Sequence, residues 1–317
     1  MSDFQKFLFE GLPVRGMVVR LTDSWQTLLS RRETALPPEV MNLLGEMSAC
    51  ALLLQGNLKF DGTLILQMAG DGPVKLAVAE ARTDLSYRAT ANVVGPVPRG
   101  ADLADLLNVH GGGRCAITLD PSDRPAGVQP YQGVVPLNDA EARRFNRLEQ
   151  AVEHYMKMSE QLDTKIVLAA NADGAAGMLI QRMPLEGEGN LEGRYGAERA
   201  LELEDAFPRI AMKVGTVKPE ELLSLPLDQL LHRLFWEEPL RRFDPAEPTF
   251  RCTCSRERVG RMLVGLGREE VDSILLERGD VEIACNFCGA PYRFDAVDCA
   301  QLFQTEGGVA PPPAELH

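Results

Sequence analysis

Positive charge, histidine and long apolar runs are what this chain has little of. Its 33 lysines and arginines face 46 aspartates and glutamates, a formal net charge of −13. Such a surface repels the phosphate backbone of nucleic acids and anionic lipid headgroups, so neither is an expected partner. The chain has four histidines and no Gly-x-Ser-x-Gly elbow, which argues against a hydrolase. His110 borders a glycine turn, His232 lies in a proline-punctuated segment, His154 sits on a predicted helix and His317 is terminal. The longest strongly apolar run, Ala49 to Leu54, is far below the ~18 residues needed to span a bilayer. Met1 to Gly11 carries Asp3 and Glu10 and does not read as a secretory signal. The expectation is a cytoplasmic protein that is not an enzyme and binds neither membrane nor nucleic acid.

Cysteine, by contrast, is plentiful. Seven in a cytoplasmic chain argue for metal or redox use over a structural disulfide framework. Four of them form two close pairs, Cys252-Thr253-Cys254 and, about 30 residues later, Cys285-Asn286-Phe287-Cys288. Four thiolates are what a closed tetrahedral zinc site needs, with no position left open for a substrate. One zinc ion per chain is therefore expected on Cys252, Cys254, Cys285 and Cys288. A Cys-x-Cys spacing is shorter than that of ordinary zinc ribbons, and thiols this close can also oxidise to a disulfide. The same residues can hold metal or lose it. A plainer reading is a clip that merely staples a small domain. Arg251, Arg256 and Arg293 are the candidates to offset the net charge of the filled site. Cys50 and Cys115 read as buried core thiols, and Cys299 lies outside the ligand set.

Between the pairs, Ser255 caps a predicted helix with Val259, Met262, Leu263 and Leu266 on one face, ended by Gly267. A second helix carries Val271, Ile274 and Leu275 and stops at Gly279. Val281 and Ile283 alternate into Cys285, and Tyr292 and Phe294 alternate out of Cys288. Ala296 to Phe303 reads as a last helix. A unit of this size with so thin a core is marginal without a staple. Structural zinc can supply roughly 10–16 kcal/mol of folding free energy, so the unit should unfold when the metal leaves.

Upstream, Val14 to Leu21 reads as a strand, Ser24 as a helix cap, and Pro38 to about Gln55 as a long helix. Leu58 to Phe60 and Thr63 to Met68 predict a hairpin around Asp61-Gly62. Asp71-Gly72-Pro73 marks a turn before Val74, Leu76 and Val78, and Tyr87 to Val94 gives another strand. Asp102 to Leu107 is a short helix. His110-Gly111-Gly112-Gly113 followed by Cys115-Ala116 fits part of a dinucleotide fingerprint, but a helix precedes it and a strand follows, the reverse of the required order. It reads as a turn. Asn138 or Asp139 is expected to cap a helix running to Met158, and Thr164 to Ala170 and Ala175 to Met183 give two closing strands. These elements predict an α+β N-terminal domain over 1–185.

From 186 to 248 the chain is leucine-rich yet cut by Pro226, Pro239, Pro245 and Pro248. Helices are predicted over Ala197 to Phe207, Pro219 to Leu223 and Asp228 to Trp236. The segment is too apolar to float free and too interrupted to build its own core. It is read as a metastable helical linker that packs on the first domain, with Trp236 as the expected reporter of its release. A small zinc-binding α+β domain over 249–305 and a flexible tail over 306–317 complete the chain.

Two other functions fit parts of this pattern. A thiol oxidoreductase would use Cys285 and Cys288, but such a motif belongs at a strand-to-helix junction. A zinc-ribbon module for protein or nucleic acid is the other.

Phe250-Arg251-Cys252-Thr253-Cys254-Ser255-Arg256, Leu266-Gly267, Cys285-Asn286-Phe287-Cys288 and Tyr292-Arg293-Phe294 resemble the redox-regulated holdase chaperones of the 33-kilodalton heat-shock protein family. The likeness extends to Tyr131-Gln132-Gly133-Val134-Val135-Pro136-Leu137, to Glu153-His154-Tyr155 with Ser159-Glu160-Gln161, and to Gln181-Arg182-Met183-Pro184. The resemblance implies an ATP-independent stress-response chaperone that is inactive while reduced and zinc-bound. It implies oxidation to disulfides Cys252–Cys254 and Cys285–Cys288, the pairs that short spacing also favours. Zinc release, C-terminal unfolding, a homodimer in the oxidised form and binding of unfolding client proteins are implied with them.

Overall fold

The computed structural model describes residues 2–32, 34–125, 127–184 and 197–305. The expected tail over 306–317 lies outside them. The chain divides into two compact units, one of Met1–Ser30 with Thr34–Arg251, the other of Arg31–Glu33 with Cys252–His317.

The larger unit is organised around helix α2, Pro38–Asn57, which follows α1, Asp23–Ser30. Pro38 starts α2 where a missing N–H costs nothing. Its residues are apolar on nearly all sides because sheets pack on more than one face. One sheet runs β10-β1-β2-β9-β8, with β1 Asp3–Phe9, β2 Val14–Leu21, β8 Thr164–Ala170, β9 Ala175–Arg182 and β10 Leu240–Arg242. The other runs β11-β5-β4-β3-β6-β7, with β3 Gly62–Ala69, β4 Val74–Arg82, β5 Ser86–Val93, β6 Arg114–Pro121, β7 Tyr131–Pro136 and β11 Thr249–Phe250. Short α3, Leu103–Leu107, is capped by Asp102, whose side chain accepts from Asp105 N–H.

The predicted hairpin at Asp61-Gly62 does not form. Residues 58–60 are not a strand, and β3 pairs instead with β4 and β6. Gly62 is needed for close approach, since a Cβ there would lie 2.4 Å from the Asp120 carbonyl oxygen. The helix expected from Asn138 begins only at Leu148, as α4, Leu148–Met158. Asp139 organises a loop instead, its carboxylate accepting from Glu141 N–H at 3.1 Å and Arg143 N–H at 2.8 Å. The glycine stretch after His110 is a turn: Asp71 accepts there from His110 N–H at 3.1 Å and Gly112 N–H at 2.7 Å. Strands β1, β7, β10 and β11 were not foreseen.

The connecting segment forms α5, Ala197–Val214, α6, Pro219–Ser224, and α7, Leu227–Phe235. Helix α5 continues through Pro208, past its predicted end. Ile210, Leu222, Leu230, Leu231, Leu234 and Phe235 enter a second core with Phe7, Phe9 and Val18 on the far face of the first sheet. The borrowed core is real. Arg20 donates to the Leu222 carbonyl at 3.0 Å and to that of Leu225, holding the end of α6. Trp236, however, is 68% exposed, so it cannot report release as expected.

In the smaller unit, α8, Arg256–Leu266, and α9, Arg268–Arg278, precede a hairpin of β12, Val281–Ala284, and β13, Pro291–Phe294, and then α10, Ala296–Thr305. Ser255 caps α8 by accepting from Arg258 N–H at 3.3 Å. Gly267, at φ +99°, separates the helices. Among the described residues six buried side chains centre its core, Val259, Leu263, Val271, Val281, Phe294 and Cys299, with partly buried neighbours such as Ile274 and Leu302 packed against them.

Candidate metal and redox centre

Two local structures present the paired cysteines. Cys252 and Cys254 lie in the irregular stretch before Ser255, and Cys285 to Cys288 forms the tip between β12 and β13. At that tip Gly289 N–H donates to the Cys285 carbonyl at 2.8 Å, and Cys285 N–H to the Ala290 carbonyl at 2.9 Å. The tight turn leaves Gly289 at φ +69°, a left-handed position that suits glycine.

All four sulfurs lie within 4.8 Å of one another. Cys252 Sγ is 3.7 Å from Cys285 Sγ, and Cys254 Sγ is 3.3 Å from Cys288 Sγ. A zinc ion with Zn–S bonds of about 2.3 Å requires sulfurs ~3.8 Å apart, so the donor set fits. Both of these approaches run between the pairs. All seven cysteines are thiols. Cys50 and Cys115 are buried in the large core, where burial pushes Cys50 up and Cys115 up to about 12; both are inert there. Cys299 is buried beside Val259 and Phe294, and its thiol too is raised by burial and then by Asp298. It is not in the cluster.

The thiols are unequal. Burial alone would raise Cys254, but hydrogen bonding from Tyr292 and then from neighbouring thiols brings it down to about 7. Burial raises Cys252 and Cys288, the latter strongly. Tyr292 is the residue the sequence did not mark for chemistry. Its place four residues after Cys288, in a segment that alternates as a strand, was the available signal.

The three arginines flanking the cluster are engaged elsewhere. Arg251 pairs with Asp84 at 3.0 Å and Arg256 with Asp298 at 2.7 Å, the latter also stacked on Phe294. Arg293 pairs with Asp280 and Glu282 at 3.1 and 2.8 Å. Arg258 instead reaches the loop between Cys252 and Cys254, donating to the Thr253 carbonyl and hydroxyl at 3.0 and 2.7 Å.

Fold and cluster together define a class: an α+β protein whose small C-terminal unit is built around four thiols. The chain belongs to the Hsp33 family, whose description, Hsp33 protein, matches residues 2–295. It is 46% identical over 299 residues to the 33 kDa chaperonin of Chromobacterium violaceum, covering 94% of this chain and 92% of that one. With the 33 kDa chaperonin of Methylobacillus flagellatus it shares 43% identity over 302 residues, 95% of this chain and 94% of the relative. The fold matches the crystal structure of a 33 kDa chaperonin, a heat shock protein 33 homologue, from Thermotoga maritima. The TM-score is 0.73 at 21% identity, over 96% of this chain and 99% of that one. No helix among the described residues is long and apolar enough to cross a membrane.

Proposed function

We propose that this protein is a redox-regulated, ATP-independent holdase of the cytoplasm, inactive while reduced and zinc-bound. The observation that carries the reading is the gathering of four sulfurs within 4.8 Å in a unit whose core has six buried side chains. A zinc ion held by Cys252, Cys254, Cys285 and Cys288 would supply the unit with cross-links that its core does not. Oxidation converts the four thiolates to two disulfides: they lose four electrons, two S–S bonds form, and two equivalents of peroxide leave as water after taking up protons. Sulfur in a disulfide no longer donates as a thiolate, so the metal is released and the unit opens. Although Cys252 lies near Cys285, opening separates long-range neighbours while Cys252–Cys254 and Cys285–Cys288 stay close along the chain. Those are the disulfides proposed. The connecting segment then leaves the sheet, exposing apolar surface to unfolding clients, and the oxidised protein pairs as a homodimer.

The thiol oxidoreductase reading has less support, because Cys285 and Cys288 sit at a hairpin tip and not at a helix N-terminus. The test is to titrate peroxide into the reduced, zinc-loaded protein while following metal release and suppression of aggregation of a heat-unfolding client. The two should rise together. Full suppression by the reduced, metal-loaded form would overturn the reading.

A further inference from the structure

Strand β8 is an edge of the first sheet, and half of its backbone faces away from that sheet. Its register with β9, with Arg182 N–H donating to the Asp163 carbonyl, directs Thr164, Ile166, Leu168 and Ala170 outward. Two outward groups are taken by side chains. Ile166 N–H donates to Glu153 Oε1 at 2.8 Å, and the Asn42 amide, correctly oriented, donates to the Ala170 carbonyl at 3.2 Å. Between them, among the described residues, no group bonds the outward N–H and C=O of Leu168.

This edge forms the floor of a cavity of about 640 Å³. One wall belongs to the connecting segment and includes Val217, Pro219 and Leu222. The opposite wall is α2 and α4, which bring Glu46, Glu149 and Glu153 to the cavity. Glu153 is bound by Lys165 at 2.9 Å and Glu149 by Arg147, whereas Glu46 has no bonded partner among the described residues. An open edge invites pairing with any extended chain, and proteins usually cover it. Here the docked segment covers one side.

Resting on the holdase reading above, we propose that the edge of β8 is a client-binding strand. The occupant is an extended segment of an unfolding protein, in which basic and apolar side chains alternate. It adds to β8 through its backbone when the connecting segment moves away. The side-chain preference follows from the period of two along a strand, which turns successive side chains to opposite walls. One wall offers Glu46, the carboxyl there without a bonded partner among the described residues, and the other offered Val217 and Leu222 before release, leaving Val167 and Ala169 of the apolar sheet face after it. Ile166 to Ala170 spans roughly 16 Å, room for about five residues of partner.

The probe is a fluorescent eight-residue peptide of alternating lysine and valine, tested on the full oxidised chain and on reduced Leu234→Asp. Peptide binding should bring hydrogen-exchange protection to the Leu168 amide. N-methylating alternate peptide amides should weaken binding about tenfold or more, since two or so backbone bonds are lost. Glu46→Lys should weaken it about tenfold, and Glu46→Gln, which preserves shape, by a smaller factor. Equal affinity for the methylated peptide, or protection only at another sheet edge, would overturn the assignment. Protection of Leu168 that rises with protein concentration alone would assign the edge to a second copy and overturn the client role. Aggregation suppression without Leu168 protection sinks this inference and leaves the holdase. Peptide bound at Leu168 in a protein that suppresses no aggregation sinks the holdase and leaves the edge site.

Discussion

In the larger unit a helix of 20 residues is packed between sheets, and a second apolar core lies behind the first of them. In the smaller unit two helices, a hairpin and a last helix share six buried side chains, one of them a cysteine. The first is held by the area it removes from water; the second has too little such area to stand alone. A fold built this way can lose one unit without losing the other. Its four clustered thiols lie beside the thinner core, while Cys50 and Cys115 are sealed inside the thicker one.

The sharpest way to break that contrast is to remove the thiolates. Replacing any one of Cys252, Cys254, Cys285 or Cys288 by Ser should abolish tight zinc binding and remove on the order of 10 kcal/mol of metal-linked stability from the smaller unit. Cys50→Ser, Cys115→Ser and Cys299→Ser should each keep one zinc per chain. Elemental analysis of the seven variants, with limited proteolysis after Arg251, measures both effects. Zinc lost from the Cys50 or Cys115 variant would sink the ligand assignment. Chelating the metal from the wild type should likewise expose the smaller unit to protease and leave the larger one resistant.

The next largest effect is expected at the seam between the first sheet and the connecting segment. Leu230 is fully buried and Leu234 is 5% exposed against Phe7 and Phe9. Burying a carboxylate at Leu234 should cost several kcal/mol, comparable to the docking free energy of such a segment. Leu234→Asp should therefore suppress client aggregation while reduced and still zinc-loaded. Because Trp236 is already exposed, the optical reporter should be Phe235→Trp, whose ring starts at a buried position. A red-shifted reporter in the double variant without client holding would separate undocking from function.

What could be read beforehand was local. Ser255, Gly267 and Gly279 bound α8 and α9 because caps and left-handed stops act within a turn. The cysteine spacing marked the cluster because four thiols in two close pairs are the donor set of a closed metal site. What escaped was long-range pairing: Leu240 to Arg242 and Thr249 to Phe250 are strands only because β1 and β5 offer edges far away in sequence. Asp61-Gly62 and Asp139 misled for a related reason, each residue serving a close approach or a loop that only the assembled sheet requires. The cavity at β8 is assembled from segments as distant as Glu46 and Leu222, and no spacing rule reports it.

In the larger unit, Glu46 is a carboxyl that packing disfavours as an anion. Burial first, and the charge of Glu149 next, raise it from 4.5 to about 7 against the pull of Arg147. Its folded pKa lies above its unfolded one, so its contribution is fully present below about pH 4.5 and is lost as pH rises through 7. Glu46→Gln should differ little from the wild type near pH 5 and be more stable than it by about 1–3 kcal/mol near pH 8, allowing for partial solvent access. Thermal unfolding of the larger unit at both pH values measures this. An equal difference at pH 5 and pH 8 would remove Glu46 as the titrating group.

The smallest effect tests how close the smaller unit sits to its limit. The Ser255 hydroxyl accepts from Arg258 N–H at 3.3 Å and caps α8 one residue after Cys254. Loss of such a cap costs about 1 kcal/mol. In the zinc-loaded unit that cost is minor beside the metal contribution, so Ser255→Ala should keep one zinc and fold normally. With the metal partly withdrawn by a competing chelator, the same cost acts on a unit near balance. A change of about 1.4 kcal/mol shifts an equilibrium tenfold, so zinc should leave Ser255→Ala at roughly five- to tenfold lower chelator than the wild type. The cap also positions the chain beside Cys254, so an equivalent lesion away from the cluster serves as control: Gly279→Ala, at φ +83° after α9, strains the backbone by a similar amount. If both variants release zinc early, the metal is reading the stability of the whole unit. If Ser255→Ala alone does so, the metal responds only to the local geometry of Cys254, and the thin core contributes less to the switch than argued.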